Sequence, residues 1–382
     1  MAQPLDRRAG HEGLQPIAYP IEHSRFEKRS DKVAIFLPGQ DVRKMGMFDE
    51  LMEQPAGREV LERGNIWLKE HYGYDLLDMA KAIEGENPEE TKKRLELLKQ
   101  ARFTVPAVYL FSIAIHNVNK HHNHKEGHNT IPGYVTGISM GMGTAAVVSG
   151  FMDFETGLYF HAERGKIMQE LSDPQPTSQV TLHADEEKVL ALLGREEYQD
   201  LDLNIINRDN MWVVGGPDDP SNPDSPMQRL RQEARGLGIK RVTEITTDRS
   251  MHGRYVRPGR EAFDKLVDRI EFKNPHSVVI GSYTGSRIFS IHDMKEELKG
   301  GYDNTIDNRR PVEYLKERRI HIVYEVGNEK GFFAGLLGDH KKELIAGGLI
   351  LTGAAAVGAF KTAEAWTEDH PKHPNNSNNG NH

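Results

Sequence analysis

Gly137-Ile138-Ser139-Met140-Gly141 sets a serine between two glycines at a spacing that suits a nucleophile. A serine held out of a sheet on a sharp strand-to-helix turn needs close backbone approach on both sides, and glycine permits it. The Met140 amide and the positive end of the next helix would then stand where an oxyanion develops. Tyr134 to Thr136 before the motif reads as a strand, and MGMGTAAVVSGF after the serine as a helix of small residues. A glycine-rich helix start with a buried serine would show the same letters. A second group is His116, His121, His122, His124 and His128. Imidazoles so spaced can take Zn, Ni or Cu. No carboxylate set accompanies them, so the stretch reads as a solvated loop or frayed helix end, and no metal is expected.

The chain that positions these residues has 382 of them, with 49 Lys and Arg against 57 Asp and Glu, a net charge of −8. That length suits roughly two or three domain-sized units. With 37% hydrophobic and 28% charged residues it is neither disordered nor fibrous. The mild acidity argues against a nucleic-acid partner. Arg229 to Arg241 is only moderately basic and includes Glu233, as a solvated helix face would be. Zero cysteines remove disulfides, thiolate metal sites and cysteine nucleophiles together, and leave the compartment undetermined by redox logic.

Residues 1–31 form a polar extension with Asp6, Glu12, Glu22 and Glu27 and no apolar core, so no secretory signal is expected there. Near the other end Leu344 to Phe360 is 17 residues without charge, rich in Gly and Ala. About 17 is the lower edge for a spanning helix. Two readings stay open: a small-residue helix packed on the body or another subunit, or a membrane contact. Within 338–382, the run HPKHPNNSNNGNH after that segment is a low-complexity polar tail expected to be disordered. The chain reads as cytoplasmic, with membrane association if that segment enters lipid.

Lys32 to Leu37 is an apolar run stopped by Pro38-Gly39, which predicts a buried strand. Helical patterns cover Glu59 to Met79, Pro88 to Gln100, Val105 to Val118 and Phe154 to Glu170. Gln179 to His183, Asp185 to Leu193, Leu203 to Ile206, Met211 to Val214, Pro226 to Leu237 and Arg241 to Thr246 read as β-α-β-β-α-β, the ferredoxin-like order. Arg260 to Ile270 and Pro311 to Arg318 read as helices, Ser277 to Ile280 and His321 to Val326 as strands. The expected fold class is α/β. An α/β-hydrolase-like body spans 32–172 and 249–337, with a ferredoxin-like α+β subdomain inserted at 173–248.

An ordered set of blocks resembles the malonyl-CoA:acyl-carrier-protein transacylase family and the acyltransferase domains of polyketide synthases. Phe36 to Gln40 with Met45-Gly46-Met47 resembles the PGQG…GMG opening, and Thr104 to Ala107 the TQPA block. Gly137 to Gly141 resembles the GHSLG elbow, and Arg164-Gly165 with Met168-Gln169-Glu170 the RG..MQE block. Asn207 to Gly216 resembles NSPGQVVIAG, and Met251-His252 ahead of Ala262 to Ile270 the histidine block. Glu325-Val326-Gly327, Lys330 and Gly335-Leu336 resemble the closing EVGPGK…GL. The likeness spans about four fifths of the chain.

The resemblance implies two-step acyl transfer from malonyl-CoA to acyl carrier protein through an acyl-serine, with the coenzyme A thioester as substrate and no cofactor. Ser139 would be the nucleophile and His252 the base. Gln40 and Met140 amides would form the oxyanion hole. Arg164 would hold the malonyl carboxylate, its planar fork matching that group; a surface ion pair is its bland alternative. Asn207 would lie near the cleft, and a carbonyl near Asp307 would orient His252. Bulk at Met251 goes with an unbranched acyl group in the polyketide branch.

Four positions depart from the family pattern. Ile138 stands where the family has histidine, Met142 where it has an acidic or amide residue, Val105 where it has glutamine, and Asp41-Val42-Arg43 follows Gln40. Two other functions therefore stay open: a serine hydrolase or thioesterase on the same body, and a non-catalytic scaffold.

Overall fold

The computed structural model describes residues 28–39, 44–125, 130–245, 247–320 and 322–326. Gln40, His128, Gly327, Lys330, Gly335, Leu336 and the segment Leu344–Phe360 lie outside them, as does the extension up to Glu27. In chain order come β1 (Lys28–Leu37), α1 (Asp49–Glu53), α2 (Pro55–Tyr72), α3 (Leu76–Ala80), α4 (Pro88–Lys99) and α5 (Ala101–Lys125). Then follow β2 (Thr130–Gly137), α6 (Gly141–Val148) and α7 (Phe154–Leu171). Next are β3 (Thr177–His183), α8 (Glu186–Leu193), β4 (Asp202–Arg208), β5 (Met211–Pro217), α9 (Pro226–Glu233) and β6 (Arg241–Ile245). The last described stretch holds α10 (Arg260–Arg269), β7 (Val278–Ile280), β8 (Arg287–Ile288), α11 (Ile291–Asp303), β9 (Ile306–Asp307), α12 (Arg309–Glu317) and β10 (Ile322–Glu325).

The described residues form a mixed α/β fold with two sheets. The first has the order β10-β1-β2-β7-β8, parallel except for β8. β1 is buried on both faces. Ala34 and Phe36 pack with Val312, Leu315 and Val323, while Ile35 and Leu37 face the main core. A strand so placed needs an unbroken apolar run, which is what KVAIFL supplies. Leu37 pairs with Gly137, so Pro38-Gly39 and Ile138-Ser139 leave the sheet side by side at the carboxyl ends of their strands. Open α/β sheets place ligands at such ends.

The second sheet has the order β6-β3-β5-β4-β9. Its first four strands are antiparallel, and β9 joins β4 in parallel. One face packs Val180, Leu182, Trp212 and Val214 against Val189, Leu192, Met227 and Leu230 of α8 and α9. The other face buries Thr177, Gln179 and Thr181. Thr177 and Gln179 of that face bond to the loop after β6.

Several elements differ from the sequence reading. β1 begins at Lys28, inside the stretch read as an extension. The single helix read over Glu59 to Met79 is split, because Gly73 takes a left-handed φ of 75° as the α2 cap and Asp75 caps α3. α5 runs on through His116 and His121, so these belong to a helix rather than a loop. It also carries Pro106 inside it, and the Tyr74 hydroxyl donates at 3.4 Å to the Arg102 carbonyl one turn earlier, which Pro106 cannot reach. α11 lies outside the elements expected from sequence, although Ser290 caps it by accepting from the Asp293 amide at 3.1 Å. No group of metal-ligating side chains forms among the described residues. No helix among them is long and apolar enough to cross a membrane.

Candidate active site

Ser139 sits on the turn between β2 and α6 with φ 55°, and His252 on the loop between β6 and α10 with φ 56°. Among the described residues only Arg319 shares this conformation without being glycine. Left-handed backbone costs about 1–3 kcal/mol in such residues and gathers at functional turns. Both elbow glycines are required by contact. A Cβ on Gly137 would lie 2.4 Å from the Gly141 backbone, and one on Gly141 2.5 Å from the Leu37 carbonyl oxygen. The stored strain is measurable: Ser139→Gly should unfold at a higher urea midpoint than Ser139→Ala, a stability difference of about 1 kcal/mol. Equal midpoints would mean that the turn holds no strain.

The two side chains meet between these turns. Ser139 Oγ lies 2.5 Å from His252 Nε2. His252 Nδ1 lies 2.8 Å from the Gly301 carbonyl oxygen. A carbonyl only accepts, so Nδ1 carries the proton and Nε2 presents its lone pair to the serine hydroxyl. That is the tautomer a general base needs. The carbonyl expected near Asp307 therefore comes from Gly301 instead. Gly301 lies in the last turn of α11, where carbonyls have no helical partner and are free to accept. Asp307 instead holds Arg309, accepting from Nε and Nη2, each at 2.9 Å.

The loop bearing His252 is held by the polar face of the second sheet. The Ser250 amide donates to Thr177 Oγ1 at 2.8 Å, Gln179 Nε2 to the Met251 carbonyl at 3.1 Å, and Asn204 Nδ2 to the His252 carbonyl at 3.3 Å. Asp202 accepts from the Arg254 amide at 2.6 Å. The asparagine that meets this loop is thus Asn204. Asn207 sits on the same strand, tied to Asn308 Nδ2 at 2.9 Å. Gln179, Asn204 and Gly301 escaped the sequence reading. Gln179 and Asn204 each offer a signal, a polar residue in a segment that reads as a strand, and Gly301 offers none.

His252 is held neutral, pushed down to about 3 by burial first and by the Arg164 charge second, against the opposing Gly301 bond and Asp303 charge. Asp303 is itself clamped by Arg257 Nε at 3.0 Å and Arg260 Nη1 at 2.7 Å.

Arg164 projects from α7 and is 4% exposed. Its Nε has no hydrogen-bond partner among the described residues, and no carboxylate pairs with it there. The guanidinium lies over the Phe263 ring at 5.8 Å, and burial lowers it to about 10. A surface ion pair is ruled out by that burial. The neighbouring glycine and glutamine of the same block serve packing: a Cβ on Gly165 would lie 2.6 Å from the Ala101 carbonyl oxygen, and Gln169 Oε1 accepts from the Ala101 amide at 2.9 Å. Met140 caps α6, its amide following the nucleophile. Gln40 lies outside the described residues.

No family model matches the chain. It is 23% identical over 311 residues to the polyketide biosynthesis malonyl CoA-acyl carrier protein transacylase PksC of Bacillus subtilis, covering 81% of this chain and 98% of that one. It is likewise 23% identical over 308 residues to the malonyl CoA-acyl carrier protein transacylase of Escherichia coli K12, covering 78% and 89%. Among solved structures, the Helicobacter pylori malonyl-CoA:acyl carrier protein transacylase superposes with a TM-score of 0.71 at 23% identity, covering 88% and 100%. A type II polyketide malonyl-transacylase in complex with its acyl-carrier protein matches with a TM-score of 0.71 at 21% identity, covering 87% and 99%. In sequence and in fold, then, the chain's likeness is to the malonyl-CoA:acyl carrier protein transacylases, those of polyketide synthesis included.

Proposed function

We propose that the chain transfers a malonyl or similar carboxylate-bearing acyl group from coenzyme A to the phosphopantetheine thiol of an acyl carrier protein, through an acyl-Ser139 intermediate. The observation that carries this is a serine–imidazole pair in the basic tautomer, within reach of the charge of a buried guanidinium that pairs with no carboxylate among the described residues. As Oγ bonds to the thioester carbon, the hydroxyl proton passes to His252 Nε2. The C–S bond then breaks and the imidazolium returns that proton to the departing thiolate. The carrier thiol reverses both steps. The Met140 amide, with that of Gln40, would receive the oxyanion. Arg164 would hold the substrate carboxylate. A hydrolase acting on neutral acyl chains has no use for such a cation. These steps use only protein groups and the thioester.

The architecture supports the same reading. We take the parallel-sheet body as α/β-hydrolase-like, and residues 173–248 as a ferredoxin-like insertion that holds the base. The order β6-β3-β5-β4 with two helices on one face supports the latter.

Incubation with radiolabelled malonyl-CoA tests the proposal. Wild type should carry label on Ser139, release it to carrier protein faster than to water, and lose it in Ser139→Ala. No label in wild type would sink the transferase reading in favour of a scaffold. Faster release to water would favour a hydrolase.

A further inference from the structure

We propose that His161 is a positioning residue that fixes the helix bearing Arg164 against the nucleophile turn, and thereby sets the preference for carboxylate-bearing over neutral acyl groups. The proposal rests on the reading of Arg164 as the carboxylate clamp. His161 is fully buried on α7, three residues before Arg164. Its Nδ1 lies 2.7 Å from the Gly157 carbonyl oxygen on its own helix, so Nδ1 donates there. Its Nε2 lies 3.4 Å from Thr144 Oγ1 and 3.2 Å from the Met140 carbonyl oxygen, both on the segment that begins with Ser139. With the ring neutral and its proton on Nδ1, Nε2 accepts from the Thr144 hydroxyl; it makes no hydrogen bond to the Met140 carbonyl, which has no proton to give. One imidazole thus bridges the clamp helix and the nucleophile helix.

The surroundings are built around that ring. Tyr109 stacks on it at 4.4 Å and Phe160 meets it edge-on at 5.3 Å. A Cβ on Gly143 of α6 would fall 2.8 Å from His161 Cε1 and 2.9 Å from Nε2, so a glycine there lets the two helices close on the imidazole. Burying a polar ring among apolar groups costs free energy that an aliphatic side chain would not. What it adds is direction: packing alone leaves a helix free to slide, whereas a hydrogen bond fixes one register. About three residues along α7 separate the bridge from the guanidinium, a rise of about 4.5 Å. A slide of about 1 Å at His161 therefore carries Arg164 with it, and misplacement of that size costs about 100-fold in rate. Only an acyl group that needs the clamp feels the loss. A neutral acyl group meets Ser139 and His252 alone.

The test is single-turnover acylation of Ser139 in the full chain by malonyl-CoA and by acetyl-CoA. His161→Phe keeps an aromatic ring and removes the polar edge; it should lower the malonyl-to-acetyl preference at least about tenfold. His161→Gln keeps a hydrogen-bonding group and should hold the preference within about threefold of wild type. Thr144→Val, which removes the hydroxyl and keeps its shape, should move the preference the same way as His161→Phe, and decides the matter if that variant does not fold. A preference unchanged in Thr144→Val and His161→Phe, or a parallel loss of both acyl groups, overturns the proposal. Wild type without malonyl preference overturns instead the clamp reading beneath it. Preference lost in Arg164→Ala yet intact in both other variants overturns this inference alone.

Discussion

His252→Ala should slow acylation of Ser139 by a factor of roughly 10⁴, measured as formation of acyl-enzyme after rapid mixing with the thioester. The expectation follows from the proton's position. The Gly301 carbonyl holds the proton on Nδ1, so Nε2 is free to accept from the hydroxyl 2.5 Å away. Without the imidazole, the hydroxyl must lose its proton to water, and no other base among the described residues touches Oγ. Binding of the thioester rests on other groups, so the loss should fall on kcat far more than on KM. The residual rate should rise steeply with pH, because hydroxide then does the imidazole's work. A loss under tenfold would mean that His252 is not the base. Asn204→Ala separates position from chemistry. It removes a donor that holds the His252 carbonyl and leaves the imidazole in place, so it should cost less than His252→Ala and leave the pH dependence as in wild type.

How far the site could be read from sequence depends on whether a role belongs to a side chain or to a place. Ser139 and its glycines were legible because the turn forbids a Cβ on either side, and that constraint leaves letters in the chain. β1 was legible because burial on both faces demands an unbroken apolar run. His252 and Arg164 became legible only through ordered blocks, since 18 histidines leave no single one marked by type. Gly301 could not be read, because its contribution is a carbonyl that every residue owns, and its helix was itself missed. Asn204 and Asn207 stand on one strand, whose pairing with β5 shifts register at each of them, between Leu203 and Ile205 and between Ile206 and Arg208. Such irregularities arise from cross-strand packing, which a single segment does not encode. His161 had no motif to mark it, and only the approach of α6 and α7 shows what its ring bridges.

Arg164→Ala should cut malonyl transfer by about 10³-fold, and transfer of acetyl much less. Leaving one partner of a buried ion pair alone costs about 3–5 kcal/mol, and tenfold corresponds to about 1.4 kcal/mol. In the free protein that penalty already falls on Arg164, since its cation is buried and meets no carboxylate among the described residues. Stacking on Phe263 returns at most about 2 kcal/mol. Arg164→Met, which fills similar space without charge, should therefore raise the melting temperature of the free protein while abolishing malonyl preference. A structural ion pair would behave in the opposite way on both counts. The charge also reaches His252. Arg164 helps hold that imidazole low, so its removal should raise the His252 pKa, with burial still keeping it below the ordinary 6.5. Acetyl transfer by Arg164→Ala should accordingly lose rate at a higher pH than wild type as the solution is acidified. A bound malonyl carboxylate would do by neutralisation what the substitution does by deletion: it would make the imidazole a stronger base when a substrate of the right charge arrives. Arg164→Lys should not restore the preference, because a point charge cannot match both carboxylate oxygens. Equal losses for malonyl and acetyl, with a lowered melting temperature in Arg164→Met, would remove both the clamp and this coupling.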